Sequence, residues 1–310
     1  MKNIKTLRWQ LYVRSIFALI DVKGKLPMTT TEITLRKKQV SKLAALWLGD
    51  LHLDKAGDQQ RKKLYNTIHS SKSDCVIITG DIASARHLRG HLMDLSSACW
   101  PRPCYFTPGN HDYHGSFIAE VEMTLQKLQM EVSNFHFLNG KRLIPLGHNT
   151  CLIGHGGWAD ARAGNGQYTR IDSPDRHAIR DFQGMGRRMA LQKMNEFGRE
   201  SAAAIRKILP LALSRYHHVI IATHVPPFPT AVRFDNKPCD RMHLPHFSNL
   251  SAGLAILGIA RAFPQHPQRR ITILAGHAHS KCIQTILPNL TIRVGHARTG
   301  RPDVFELLNL

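Results

Sequence analysis

The stretch Cys75-Val76-Ile77-Ile78-Thr79-Gly80-Asp81 decides how the rest of the chain is read. A short apolar, β-branched run closed by a turn pair fits a buried strand. The pattern recurs. Leu43-Ala44-Ala45-Leu46-Trp47-Leu48 ends at Gly49-Asp50 and Cys104-Tyr105-Phe106-Thr107 ends at Pro108-Gly109-Asn110-His111-Asp112. His218-Val219-Ile220-Ile221-Ala222 ends at Thr223-His224, and the run from Ile271 to Leu274 ends near Gly276-His277-Ala278-His279. Between these runs, residues 57–70, 84–97, 116–130 and 173–209 read as helical, the last with Gly184, Gly186 and Gly198 as breaks. Leu250 to Ala262 reads as a further helix. Short strands are expected at 135–138, 142–146 and 150–154, and late strands at 281–286 and 290–294 finish the pattern. Residues 226–247 hold five prolines and read as a long loop. Alternation of strands and helices indicates α/β layers.

Composition bounds the function without choosing it. The 310 residues are 43% hydrophobic and 21% charged, enough to bury a core without disulfide or metal staples. Lys and Arg number 42 against 22 Asp and Glu, a net +20 that favours polyanions: nucleic acid, anionic lipid or phosphorylated small molecules. Residues 1–40 hold nine Lys or Arg against two acids and read as a basic extension ahead of a domain at 41–310. Translation from Met28 would place residues 1–27 upstream of the protein; a basic amphipathic helix at 8–20 is the other reading. The six cysteines show no C-x-x-C spacing, so reduced thiols and a cytoplasmic setting are expected. No run of about 18 apolar residues is present, so no membrane span is expected. Oligomeric state leaves no mark in the sequence.

The residues just beyond the strands carry the chemistry. Asp50 and His52, Asp81, Asn110 and His111, His224, and His277 and His279 each stand at the close of an apolar run. Taken singly, each is an ordinary turn or loop residue. Taken together they converge, because functional groups in open α/β sheets gather at the carboxyl ends of strands. Carboxylates, imidazoles and an amide oxygen suit divalent Mn, Fe or Zn, and the absence of cysteine argues against a structural zinc knot. The set is large enough for two ions, with Asp81 as a natural bridge because a carboxylate offers two oxygens. Two ions can activate water and clamp a phosphoryl group during in-line displacement.

Gly-Asp-Leu-His (49–52), Gly-Asp (80–81), Gly-Asn-His-Asp (109–112), Thr-His (223–224) and Gly-His-Ala-His (276–279) resemble the five signature blocks of the calcineurin-like metallophosphoesterases. The resemblance implies a two-sheet αββα sandwich with a dinuclear metal site at the carboxyl ends of the strands. It implies one ion on Asp50, His52, Asp81 and His279, and a second on Asp81, Asn110, His224 and His277. A bridging hydroxide would attack phosphorus, with His111 near the leaving oxygen and Asp112 orienting His111. Many phosphoprotein phosphatases of the superfamily carry Asp where this chain has Ser84, which weakens the protein-phosphatase reading and leaves room for another acid to orient His111. Thr223 to Phe228 and His243 to Ser248 are similar to segments of a bacterial subgroup of the superfamily.

The expectation is a hydrolase of phosphoesters, diesters before monoesters, acting on a phosphorylated small molecule or nucleotide. A phosphomonoesterase, a nuclease drawing on the basic charge, and a non-catalytic binding module are the alternatives. His155, in the Gly-rich segment 154–160, and Arg233, Arg241 and His243, on the proline-rich loop, are weaker candidates for the pocket.

Overall fold

The computed structural model describes residues 43–263 and 269–310. The basic extension expected over 1–40, with its helix at 8–20 and the alternative start at Met28, lies outside the described residues. The strands in chain order are β1 Ala44–Leu48, β2 Cys75–Thr79, β3 Cys104–Thr107, β4 Phe135–Phe137, β5 Ile144–Pro145, β6 Thr150–Gly154, β7 His218–Ala222, β8 Arg233–Phe234, β9 Lys237–Pro238, β10 Arg270–Ala275, β11 Cys282–Leu287, β12 Leu290–Val294 and β13 Val304–Asn309. The helices are α1 Asp58–Ser70, α2 Ala85–Cys99, α3 Ile118–Glu131, α4 Asp175–Ala178, α5 Arg187–Arg215, α6 Leu244–Phe247 and α7 Leu250–Ala262.

Two sheets form, in the orders β13-β1-β2-β3-β4 and β11-β12-β10-β7-β6-β5, with β8 and β9 as a separate hairpin. β1 to β4 pair in parallel, as do β6, β7, β10 and β12. Alternation along each strand divides the core. Ala45, Trp47, Ile77, Tyr105, Leu152, Ile220 and Leu274 form one buried layer between the sheets. Leu46, Leu48, Val76, Ile78 and Phe106 face outward onto Leu64, Leu92 and Leu125 of α1 to α3. Cys151, Ile153, Val219, Ile221 and Ile273 face the other way, onto Ile205, Leu209 and Ile256 of α5 and α7. This is the expected αββα sandwich.

Two expectations change. Gly198 does not break a helix: α5 runs through it for 29 residues. A Cβ at Gly198 would fall on Asp160, so glycine here permits close approach of the helix to that segment. The pattern also does not finish at 294, because Val304–Asn309 adds an antiparallel edge strand on β1. Only Leu308 of that strand is buried, so its sequence lacks a clean alternation. All six cysteines are buried and unpaired. No helix among the described residues is long and apolar enough to cross a membrane.

Candidate metal centre

Parallel pairing aims the carboxyl ends of β1, β2 and β3 in one direction and those of β7 and β10 in one direction. The loops after these strands meet. Asp50 N–H donates to Gly80 O at 2.9 Å and His52 N–H to Asp81 O at 2.9 Å, which ties the first two loops together. His224 Nδ1 stands 2.9 Å from Thr79 O, and His277 N–H donates to Asp50 Oδ1 at 2.8 Å, which ties one sheet to the other. Asp50, His52, Asp81, His277 and His279 all take left-handed backbone, with φ of 48°, 41°, 53°, 69° and 53°. That conformation costs on the order of 1–3 kcal/mol for a residue with a Cβ and concentrates at functional sites. At Gly109 a Cβ would fall on Asp81 Oδ1 and stand 2.8 Å from His224 Cε1, so the third loop needs glycine to leave the centre open.

Two ligand-like sets result, and they share Asp81. In the first, Asp50, His52, Asp81 and His279 bring one donor atom each within 4.8 Å of one another. His52 Nε2 lies 3.3 Å from His279 Nε2 and 3.6 Å from Asp81 Oδ2. The second set joins Asp81, His224 and His277. His224 Nε2 lies 3.2 Å from His277 Nδ1, 3.3 Å from Asp81 Oδ1 and 3.0 Å from Asn110 Oδ1.

The hydrogen bonds behind the second set assign its tautomers. Thr79 O takes the Nδ1 proton of His224, and His246 O, 2.9 Å from His277 Nε2, takes the proton there. Asn110 donates Nδ2–H to Asp175 Oδ1 at 2.9 Å, which turns its carbonyl oxygen inward. His224 Nε2, His277 Nδ1, Asn110 Oδ1 and Asp81 therefore present lone pairs to one another. Asp50 Oδ2, fully buried, has no hydrogen-bond partner. Backbone amides reach only one oxygen of each carboxylate, His111 N–H donating to Asp81 Oδ1 at 2.9 Å and His277 N–H to Asp50 Oδ1. Acceptors gathered with so few donors are costly in a low-dielectric interior and are relieved by a cation. Burial pushes the Asp50 carboxyl up to about 7. Burial, then the charges of Asp50 and Asp112, raises Asp81 well above the carboxylate range. Burial lowers His52 to about 3 and His279 to about 4, helped by neighbouring imidazoles, so all of these rings stand neutral. Deprotonated imidazoles and buried carboxylates without cationic partners fit divalent metal ions.

This arrangement now has a family. The model of the calcineurin-like phosphoesterase family matches residues 44–281. The chain belongs to the calcineurin-like phosphoesterases. It is a metallophosphoesterase by that membership, and its donor set is a plausible metal-binding site. A dimetal phosphatase from Danio rerio superposes with a TM-score of 0.51 at 12% identity, over 87% of this chain and 93% of its own. The Thermus thermophilus protein TT1561 superposes with a TM-score of 0.53 at 13% identity, over 86% and 94%. At these identities both likenesses concern the fold. No curated protein sequence matches the chain.

The structure brings all seven expected ligands to one place, with His111 beside them at the edge of the cleft. Asp112 is a correction. Its carboxylate accepts the N–H groups of Ile82 at 2.8 Å, Ala83 at 2.9 Å and Gly109 at 2.7 Å. It pins the second and third loops together and does not touch the His111 ring. That ring packs on His114, with centroids 4.3 Å apart, and His114 Nε2 lies 2.7 Å from Asp175 Oδ1. Although burial pushes Asp175 up, hydrogen bonds from His114 and Asn110 hold it down at about 2. Asp175 thus supports both Asn110 and the His114–His111 stack. Ser84, where many protein phosphatases carry an acid, donates its hydroxyl to Asp54 Oδ2 at 2.8 Å.

A cleft of about 590 Å³ opens over the centre. Ile171, Pro174, Phe234 and Phe247 give it an apolar lining, and His296 and Arg298 line it as well. The proline-rich loop contributes Phe234, Asp235, His246 and Phe247 to it. Arg233, Arg241 and His243 turn elsewhere: Arg233 to Asn236 O, Arg241 to Asn165 Oδ1, and His243 to Asp240 Oδ2 at 2.6 Å. His155 also lies outside the cleft, with its Nδ1 accepting Gly157 N–H at 3.0 Å. Sequence reasoning missed Asp175, His114, Phe234 and Arg298, none of which stands in a block with ligand spacing. His246 and Phe247 fall within the segment 243–248 already singled out.

Proposed function

We propose that this protein is a metal-dependent phosphodiesterase with a two-ion centre. One ion would be held by Asp50, His52, Asp81 and His279, the other by Asp81, Asn110, His224 and His277. The observation that supports it is the convergence of carboxylate, imidazole and amide acceptors on both sides of Asp81. Such a pair of ions, when bound, supplies positive charge for a phosphoryl oxygen and lowers the pKa of coordinated water. Imidazole, carboxylate and amide oxygen suit Mn, Fe or Zn.

The chain's own residues do the rest. Thr79 O and His246 O hold His224 and His277 in the ligating tautomer. Asp175 fixes the Asn110 amide and, through His114, the His111 ring. His111, lowered to about 4 chiefly by burial and then by His114, is a neutral imidazole at pH 7. Its N–H would donate to the leaving oxygen of the ester, which develops negative charge as the bond to phosphorus breaks. The size of the cleft, about 590 Å³, and its mixed lining, apolar side chains together with Arg298, support a diester with two substituents. Six buried, unpaired cysteines support a reducing compartment, the cytoplasm.

The test strips the protein of metal and restores Mn, Fe or Zn before assaying bis(p-nitrophenyl) phosphate beside p-nitrophenyl phosphate. Metal-dependent turnover that favours the diester is expected. His111→Ala should lower kcat by about 10²–10⁴ with metal content intact. Preference for the monoester would make the enzyme a phosphatase, and turnover indifferent to metal would remove the two-ion reading.

A further inference from the structure

A second cavity, of about 520 Å³, lies against the first and shares His296, Ala297 and Arg298 with it. Its floor includes Gly49 and Asp50, at the first ligand set, together with Trp47 and Phe305. Lys281, Arg293, Arg298 and Arg301 line it together with Asp303 and Glu306. Glu306 is taken by Arg293. Asp303 Oδ1 accepts the N–H of Val304 at 2.8 Å. Lys281, Arg298 and Arg301 are exposed, and among the described residues no acidic side chain pairs with any of them. The loop that carries Arg298 is fixed in place. Gly295 N–H donates to Ala275 O at 2.9 Å, His296 Nδ1 lies 2.9 Å from His279 O, and Arg301 N–H donates to Arg298 O at 2.9 Å. The backbone of a candidate metal ligand and the basic loop are therefore joined, and a substrate seated at the centre borders Arg298, with Lys281 and Arg301 in the adjoining cavity.

We propose that this cavity is a second anion subsite, and that the enzyme's substrates carry a further phosphoryl group on the arm of the ester that leaves the centre past Arg298. The inference rests on the phosphodiesterase reading for the first phosphoryl group. Arg298 bridges the two cavities, and Lys281 and Arg301 hold the distal phosphate. Guanidinium groups suit this task because they donate two parallel hydrogen bonds to phosphate oxygens. A phosphate monoester carries close to two charges, which complements three cations offset by Asp303, unpaired among the described residues, more closely than a carboxylate or hydroxyl would.

The test compares thymidine 3′,5′-bisphosphate with thymidine 5′-monophosphate by titration calorimetry on the metal-loaded protein. The same preparation is assayed with bis(p-nitrophenyl) phosphate. The bisphosphate should bind about tenfold tighter, as expected for a charge-assisted contact. In the double variant Lys281→Ala and Arg301→Ala that ratio should fall to near one, while monophosphate affinity and turnover of bis(p-nitrophenyl) phosphate hold. Equal affinities in the unmodified protein, or a ratio that survives in the variant, would overturn the subsite. Tighter binding of a short single-stranded DNA than of the bisphosphate, lost in the same variant, would overturn the small-substrate assignment in favour of a strand. Failure to turn over bis(p-nitrophenyl) phosphate with the affinity ratio intact would sink the phosphodiesterase reading and leave the anion subsite standing.

Discussion

The two halves of the centre are held by different physics. In the half made of Asp50, His52, Asp81 and His279, all four residues sit in left-handed backbone, and Asp50 Oδ2 is buried without a hydrogen-bond partner. Backbone shape holds these side chains, and the loops are locked by the amide donors that reach Gly80 O and Asp81 O. In the half made of Asn110, His224 and His277, each side chain is gripped from behind: by Asp175, by Thr79 O and by His246 O. Asn110 and His224 need no left-handed backbone, since neither has a positive φ. Strain and hydrogen bonding are thus two ways to keep donor atoms pointed at one spot; His277, at φ 69° and held by His246 O, uses both, and Asp81 belongs to both halves.

Asp81 is the hinge between the two halves. Asp81→Asn removes the carboxylate that both halves share. We expect metal stoichiometry to fall in both halves, and turnover of bis(p-nitrophenyl) phosphate to drop by about 10³ or more, since metal charge stabilisation is worth several kcal/mol. Elemental analysis beside the assay checks this, and near-normal turnover would refute the shared bridge. A smaller effect separates the halves. Asp175→Asn weakens the grip on Asn110 and on the His114–His111 stack but leaves the strained half untouched. It should cost about 10–100-fold in affinity for one ion or in kcat, with the other ion retained; equal loss of both ions would show that the halves are not separable.

The smallest effect concerns stability in the strained half. Burial raises Asp50 from 3.8 to about 7 in the folded, metal-free chain. Below about 4 the carboxyl is protonated whether the chain is folded or not. Between about 4 and about 7 the unfolded chain releases the proton first, so the folded state loses stability as pH rises; above that range this contribution is flat. The melting temperature of metal-stripped protein should therefore fall by a few degrees across that window. Asp112, which burial also raises to about 7, and Asp81, raised well above the carboxylate range, add to the same slope. Asp50→Asn should therefore reduce it without abolishing it, and an unchanged slope in that variant would place the buried proton elsewhere.

Much of this was legible in the chain because strands buried on both faces must be apolar throughout, so the polar residues at their carboxyl ends stand out. Runs such as 75–79 and 218–222 end where the structure ends them, and the residues just beyond are the ones that meet. The edge strand Val304–Asn309 was not legible, since one exposed face and one weak contact layer leave no clean period. Gly198 misled for a related reason: the same residue marks a helix break or a close helix contact, and only its neighbour Asp160 decides which.

By itself, then, the sequence determined the layered α/β fold and the seven side chains that gather at the strand ends, because hydrophobic period and strand-end position are properties of local sequence. Tertiary structure decided what those side chains lean on. Asp112 was expected to orient His111 and instead receives three backbone amides. The acid that reaches the His114–His111 stack is Asp175, from a short helix more than sixty positions further along the chain. The basic cavity is likewise assembled from Lys281 and the 295–306 segment against the loop after β1. Hydrogen-bond partners and charge clusters depend on distances in space, and sequence spacing does not encode distances between segments that meet only when the two sheets close on one another.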